Sequence, residues 1–324
     1  MNLNNDRTCR QSADDFSSLS ASLYEGTVIP MKKFALLIAL VSMVGCSKTV
    51  SKNGNVFFQV DPSPVPTPTG PVGCEPGQLG DLLDYAVYLG GDLRTDHVDI
   101  SRRVAASYAC FQHGEVGGAL PSDPNRIDLA SAGELGVNVS KIPHGKATYG
   151  STLVKVRSTA LGGFALASTD LHADLRKIFE FSNACGGIHP NATITRTCRN
   201  AAIQICTVTI TGRSAGLNVA ELTALQVTDT STFVIDIPAG STLVTNLPQH
   251  RIAIFRGVNV VFSNRAAGSS RQVYWNLPSA KAMEFTGTKF HGTIVAPDAD
   301  IAISGQDGEA GFWAQNLNGT DSNW

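Results

Sequence analysis

Phe290-His291-Gly292-Thr293-Ile294-Val295-Ala296-Pro297-Asp298-Ala299-Asp300-Ile301-Ala302-Ile303-Ser304-Gly305-Gln306-Asp307-Gly308 is the stretch that decides the fold. Two apolar runs of strand length, Phe290–Ala296 and Ala299–Ser304, are parted by Pro297-Asp298 and closed by Gly305-Gln306-Asp307-Gly308, both turn signals. The same grammar runs outward to Val258–Asn264, Val273–Leu277, Ala282–Thr286 and Phe312–Leu317, with Pro278-Ser279 and Gly287-Thr288 between them. Val273, Ile294 and Phe312 are 21 and 18 residues apart, close to one circuit of a β-helix, in which inward apolar residues stack from coil to coil. The two-residue strand period turns Ile294 inward and Thr293 outward. These spacings leave no room for crossover helices, which disfavours a doubly wound sheet. The chain is therefore read as mainly β: a single-domain β-solenoid with one amphipathic helix packed on it. Because the repeat is imprecise, a β-sandwich is the alternative.

The helix follows Ser168-Thr169-Asp170, whose side chains offer N-cap oxygens. Leu171, Leu175, Ile178 and Ser182 then recur at helical spacing, and Gly186-Gly187 supplies the stop. Composition agrees with an exported β protein. Hydrophobic residues make up 43%, and only 16% are charged, against roughly 25% in an average soluble domain. A net charge of -2 argues against nucleic acid as a partner, since such proteins present a basic face.

Upstream, Met31-Lys32-Lys33 precedes the apolar run Phe34–Gly45 and ends at Cys46. Two cations, a short apolar core and a small residue describe a signal peptide rather than a membrane span, which needs roughly 20 residues. Met43-Val44-Gly45-Cys46 resembles a bacterial lipobox, which implies a lipidated Cys46 at the mature N-terminus. Residues 1–30 carry Asp14, Asp15 and Glu25 and do not fit a signal n-region. They are read as an upstream extension, with translation starting at Met31. Residues 31–45 are the signal peptide, and 46–73 the lipidated cysteine and its tether. Within that tether, Asp61–Pro71 holds five prolines, favouring extended polyproline II. The β domain spans 74–324. The expected location is the outer membrane or cell surface of a bacterium, with the membrane as a partner through the lipid.

Five cysteines remain in the domain: Cys74, Cys110, Cys185, Cys198 and Cys206. In an exported compartment they are candidates for disulfides, and their odd number leaves one thiol over. Cys185, Cys198 and Cys206 flank a turn-rich stretch and predict a local bridge, while Cys74 is placed to tie to Cys110. Zinc is disfavoured because no Cys-x-x-Cys pair occurs.

Several blocks carry a resemblance. Tyr85–Leu93, Asp96-His97-Val98-Asp99 and Arg103-Val104-Ala105-Ala106 look like the opening of the choice-of-anchor A domain. Ile235–Leu247, Val273–Ala280, Gly292–Ala299 and Ala314-Gln315-Asn316-Leu317 are similar to that family's later blocks, in order. The likeness spans about 79–319 and implies a bacterial surface adhesin, a group with some members associated with collagen binding. Ser101-Arg102 replaces the family's glycine before Arg103, and Cys185–Cys206 reads as an insertion. Family members commonly carry C-terminal sorting anchors, whereas here the anchor is expected at Cys46.

Motifs with catalytic chemistry are weak. Gly212-Arg213-Ser214-Ala215-Gly216 fits the nucleophile-elbow pattern, with Asp229 or Asp236 and then His250 or His291 in a suitable chain order. That elbow needs alternating β and α elements, so Ser214 is assigned to a turn. Asp92, Asp96 and Asp99, and Asp298, Asp300, Asp307 and Glu309, offer oxygen ligands but lack a calcium-loop spacing. His97, His113, His144, His172, His189, His250 and His291 form no short-range pair of metal-ligand spacing, so surface or cap roles are expected. No cofactor, metal or catalytic residue is implied. The expected function is a lipid-anchored, non-catalytic, adhesin-like binding module for a surface ligand, either a host or matrix protein or a glycan. The alternatives are a structural envelope lipoprotein and a carbohydrate-active β-helix enzyme with paired acids in a groove.

Overall fold

In the computed structural model, which describes residues 73–200, 205–228, 230–248, 250–263 and 272–324, each short apolar run becomes a strand lying parallel to the strand one circuit away. The result is a three-faced β-solenoid with one long helix along a side. The expected extension, signal peptide and lipidated Cys46 lie outside the described residues.

The first face is a continuous parallel stack. In spatial order it contains β12 (Phe164–Leu166), β9 (Lys146–Tyr149), β6 (Ile127–Ser131), β3 (Arg103–Ala106), β1 (Tyr85–Leu89), β23 (Ala310–Asn323), β22 (Gly292–Ser304), β20 (Val273–Asn276), β17 (Thr242–Asn246) and β15 (Leu217–Glu221). The second face runs through β10 (Leu153–Val156), β7 (Leu135–Asn138), β4 (Tyr108–Gln112) and β2 (Asp92–Ile100). It continues through the far halves of β23 and β22 to β21 (Ala282–Thr286) and β18 (Ile252–Arg256). The third holds β11 (Thr159–Ala160), β8 (Lys141–Ile142), β5 (Glu115–Val116) and the end of β2. Single bridges through Asn323, Asp307 and Lys289 then lead to β19 (Asn259–Phe262), β16 (Thr230–Asp236) and β14 (Ile205–Thr211), and β13 (Thr193–Asn200) closes it antiparallel.

This order is not the chain order. The first coil, β1 and β2, sits in mid-stack between the second coil and the last strand, β23. The chain winds from there to one end at β12, passes through the helix α1 (His172–Gly186), and resumes winding at the other end until it closes on its own beginning.

Inward positions form columns. Along the first face, Trp275, Ile294, Phe312, Val87, Val104, Leu129 and Ala147 stand in register and are all buried. Ile294 thus lies against Trp275 rather than Val273, which faces the same way two residues earlier; the shared parity hid the shift. Thr293 does alternate with Ile294, yet it is only 4% exposed, because this face is covered on its outer side too. The expected break at Pro297-Asp298 is a register shift inside the single bent strand β22.

The covering comes from α1 and the 3-10 stretch Pro76–Asp84. Outward Tyr88, Tyr274, Val295 and Trp313 form a second core with Leu171, Ile178 and Phe181, and Phe181 meets Tyr274 edge-on at 5.6 Å. Ser182 is buried as its spacing requires and donates to Asn276 Oδ1 at 2.6 Å. Asn276 in turn donates to Asn246 Oδ1, and Asn246 to the Cys185 carbonyl, both at 2.8 Å. At the helix start, Asp170 Oδ1 accepts the His172 N–H at 2.9 Å, satisfying one orphan donor.

The disulfides differ from expectation. Cys74 bonds Cys185, pinning the domain entrance to the end of α1, and Cys198 bonds Cys206 across β13 and β14. The expected Cys74–Cys110 tie does not form, because Cys110 stands on the second face while Cys74 belongs to the core under the helix. Cys110 is disulfide-bonded too, rather than a spare thiol.

Where the second face turns into the third, the coils repeat one backbone device. Gly257, Gly287, Gly305, Asp321, His97, His113, Val139 and Arg157 occupy successive levels of one corner and all have φ between 46° and 64°. The N–H groups of Gly257, Gly287, Gly305, His113 and Val139 donate to the neighbouring coil, as His113 does to the Asn138 carbonyl at 2.9 Å and Gly287 to Ser304 at 2.9 Å.

Candidate functional site

The antiparallel pair β13–β14 sets a regular surface on the third face. Thr193 lies opposite Thr211, Thr195 opposite Thr209 and Thr197 opposite Thr207, so all six hydroxyl-bearing side chains share one side. Thr193, Thr195 and Thr197 are exposed, and Thr207, Thr209 and Thr211 are half-buried. Their neighbours point the other way: Val208 and Ile210 are buried in the core, and Ile194 packs against it. The lattice continues through β16 and β19, where Thr207 is followed by Thr232 and Asn259, and Thr209 by Val234 and Val261. Strand geometry spaces such rows about 5 Å apart and the residues within them about 7 Å apart. The Cys198–Cys206 bridge joins residues directly opposite each other at one end of the pair. It therefore locks the register, which matters because a one-residue slip would turn every threonine to the other side.

This surface was not identified in the sequence, although Thr193-Ile194-Thr195-Arg196-Thr197 and Thr207-Val208-Thr209-Ile210-Thr211 announce it by strict alternation. Only the folded pairing shows that the two runs stand side by side.

The suspected elbow is a local turn. Ser214 Oγ accepts the Gly216 N–H at 3.1 Å, and Asn218 bridges the Ser214 N–H and carbonyl, each at 3.0 Å. Of the two acids considered for it, Asp236 accepts from Ser263 at 2.6 Å, and Asp229 lies outside the described residues. His250 and His291 are both held below the usual imidazole range by burial, opposed at His291 by Glu309 and Asp307.

The two acid sets disperse into pairs. Asp92 meets Arg94 and Asp298 meets Lys281, each at 2.9 Å, while Asp300 accepts from Asn316 at 2.7 Å. Asp307 and Glu309 line a cleft of about 270 Å³ with Arg102, and Asp307 also lies 3.8 Å from Lys289. Deeper groups are tyrosines: burial raises Tyr274 to about 12, and burial with the neighbouring Asp174 raises Tyr88 further.

Among the histidines, His144, His172 and His189 remain surface or partly exposed residues. His97 and His113 do not stay apart. One circuit of the solenoid brings both onto Asp96, with Nδ1 to Oδ1 distances of 3.0 and 2.8 Å, and their rings stack at 4.7 Å.

The solved structures that resemble the chain include an ice-binding protein from an Antarctic biological consortium (15% identity, 78% of this chain and 90% of that one, TM-score 0.35). Another is an ice-binding protein from the Antarctic ascomycete Antarctomyces psychrotrophicus (12%, 76% and 95%, 0.33). A third is an ice-binding protein domain from Shewanella frigidimarina (14%, 78% and 97%, 0.34). No curated protein matches the chain. The family model that matches is not that of the choice-of-anchor A domain expected from the sequence; what stands of that expectation is a surface adhesive-like domain. It covers residues 78–323, essentially the whole solenoid, and the chain belongs to the ice-binding-like adhesive domain family.

Proposed function

We propose that the protein is a non-catalytic surface-binding module whose contact surface is the threonine lattice of β13 and β14. The observation that carries this reading is the pairing of two Thr-x-Thr-x-Thr strands, side by side and in locked register. Alternating hydroxyls and methyl groups on a flat, repeating grid suit a ligand that is itself a repeating array of water or hydroxyl groups. The family description makes an ice surface the first candidate, with a glycan as the second. β-Branched side chains are restricted at χ1, so such a lattice loses little rotamer freedom on contact.

Ice-affinity partitioning tests the assignment. The parent is expected to concentrate in a slowly grown ice fraction, and Thr195→Lys and Thr209→Lys to remain in the liquid, since each lifts a long charged side chain out of the plane. Exclusion of the parent from ice, or equal partitioning of parent and variants, refutes the lattice as an ice surface. Saturable binding of the parent to a glycan array, lost in the same variants, would assign the lattice to the second ligand.

We also propose that the module is exported and held at a bacterial membrane by acylated Cys46, on the strength of the lipobox resemblance and the Pro-rich tether after it. Cys46→Ser is expected to move the protein from the membrane pellet to the soluble fraction, because the acyl chains supply about 0.8 kcal/mol per buried CH₂. Retention in a carbonate-washed pellet overturns the anchor.

A further inference from the structure

We propose that Asp96, His97 and His113 form a binding site for a divalent transition-metal ion of the Zn²⁺ class, separate from the threonine lattice. One ligand atom from each of Asp96, His97 and His113, a carboxylate oxygen and a ring nitrogen of each histidine, lies within 4.8 Å of the other two. The two Nδ1 atoms converge on the same carboxylate oxygen, at 3.0 and 2.8 Å. A tetrahedral zinc centre, with bonds of about 2.0–2.2 Å, places its ligand atoms roughly 3.3–3.5 Å apart. Admitting an ion would open the two nitrogen–oxygen separations by roughly 0.3–0.7 Å and turn the stacked rings so that each presents its nitrogen lone pair to the ion in the plane of the ring.

The backbone prepares the arrangement. His97 and His113 occupy equivalent corner levels of adjacent coils, both left-handed, with φ of 54° and 47°. That repetition makes the imidazoles parallel, 16° between planes, and directs the same ring nitrogen of each toward Asp96. The set is partly open to solvent, with side-chain exposures of 60% for His97, 47% for Asp96 and 38% for His113. Three protein ligands with the remaining position left to water describe an open site rather than a closed structural one. Two imidazoles and one carboxylate suit zinc, nickel or copper better than calcium or magnesium, which prefer all-oxygen shells.

Isothermal titration of the tag-free, metal-stripped full chain with ZnCl₂ tests the site. One saturable equivalent is expected in the parent, with affinity falling more than about tenfold in His97→Asn and in His113→Asn. Asparagine tolerates the left-handed backbone, so both variants should keep the fold, which circular dichroism verifies. His144→Asn should bind as the parent does. In the parent itself, zinc should shift or broaden the imidazole proton resonances of His97 and His113 ahead of the other histidines, a readout that needs no variant. The proposal falls if the parent shows no saturable uptake, if the His97→Asn/His113→Asn double variant binds like the parent, or if other histidines respond first.

Discussion

The two arms of the solenoid, one on either side of the seam where β1 and β2 meet β23, solve the same geometry with different residues. The arm ending at β15 is filled with aromatics. Phe255 and Phe285 stack at 5.0 Å, Phe290 meets Phe285 at 5.3 Å and Trp275 at 5.0 Å, and Phe312 reaches Phe285 at 5.6 Å. The arm ending at β12 presents Val104, Leu129 and Ala147 at matching inward positions. The corners differ in parallel. Gly257, Gly287 and Gly305 take the left-handed turn in the aromatic arm, with Asp321 on β23 at the seam, while His97, His113, Val139 and Arg157 take it in the other. Glycine adopts that conformation at no steric cost, whereas other L-residues pay about 1–2 kcal/mol each. Apart from Phe111, the arm ending at β12 has smaller core groups, together with more strained corners, and it should be the weaker half.

The largest expected effect is in the core. Phe312→Ala removes a ring packed on Phe285 and Trp324 and should cost about 3–5 kcal/mol in denaturant melts. Val87→Ala, at the register partner of Phe312 across the seam, removes two methyl groups and should cost roughly half as much, at about 0.8 kcal/mol per carbon plus a cavity contribution. Equal losses would contradict the difference in core filling.

Corner exchanges come next. Gly305→Val forces a β-branched residue into φ of 64° and should lose about 1–2 kcal/mol. Val139→Gly, at φ of 52°, releases that strain at the expense of glycine's extra chain entropy, about 0.5–1 kcal/mol. It should therefore raise the melting temperature slightly. A lower melting temperature for Val139→Gly would show that the valine contributes packing that outweighs its strain.

The smallest effect is acid sensitivity in the aromatic arm. Burial lowers the folded-state values of His250 and His291, opposed at His250 by a hydrogen bond with the Leu247 backbone. The unfolded chain takes up these protons near the ordinary histidine value of about 6.5. Their contribution is thus complete above that pH and is lost as pH falls through it toward the depressed folded values. Stability of the parent should drop between pH 7.5 and 5.5, and the drop should shrink in His250→Gln. An unchanged slope in the variant would remove His250 from the account.

Much of the fold was legible because its causes are local. Period-two alternation and Gly, Pro and Asp turn signals act within a few residues, and they were enough for short strands, stacked coils and the Leu171–Ser182 helix face. The bend at Pro297-Asp298 was visible too, though as a break between strands rather than a corner within one. The Thr-x-Thr-x-Thr runs were equally local, but the first stood inside the Cys185–Cys206 segment read as an insertion and the second directly after it.

By itself, then, the sequence determined the strand grammar, the helix and the inward parity of residues such as Ile294, because backbone sterics and side-chain alternation need no distant partner. Tertiary structure decided which coil stacks on which. It placed the first coil beside the last strand, joined Cys74 to Cys185 across 111 residues, and set two threonine strands in one plane. It also brought His97 and His113, one circuit apart, onto Asp96. Those choices depend on how separate apolar faces bury one another, a free-energy balance over the whole solenoid that no short window of sequence contains.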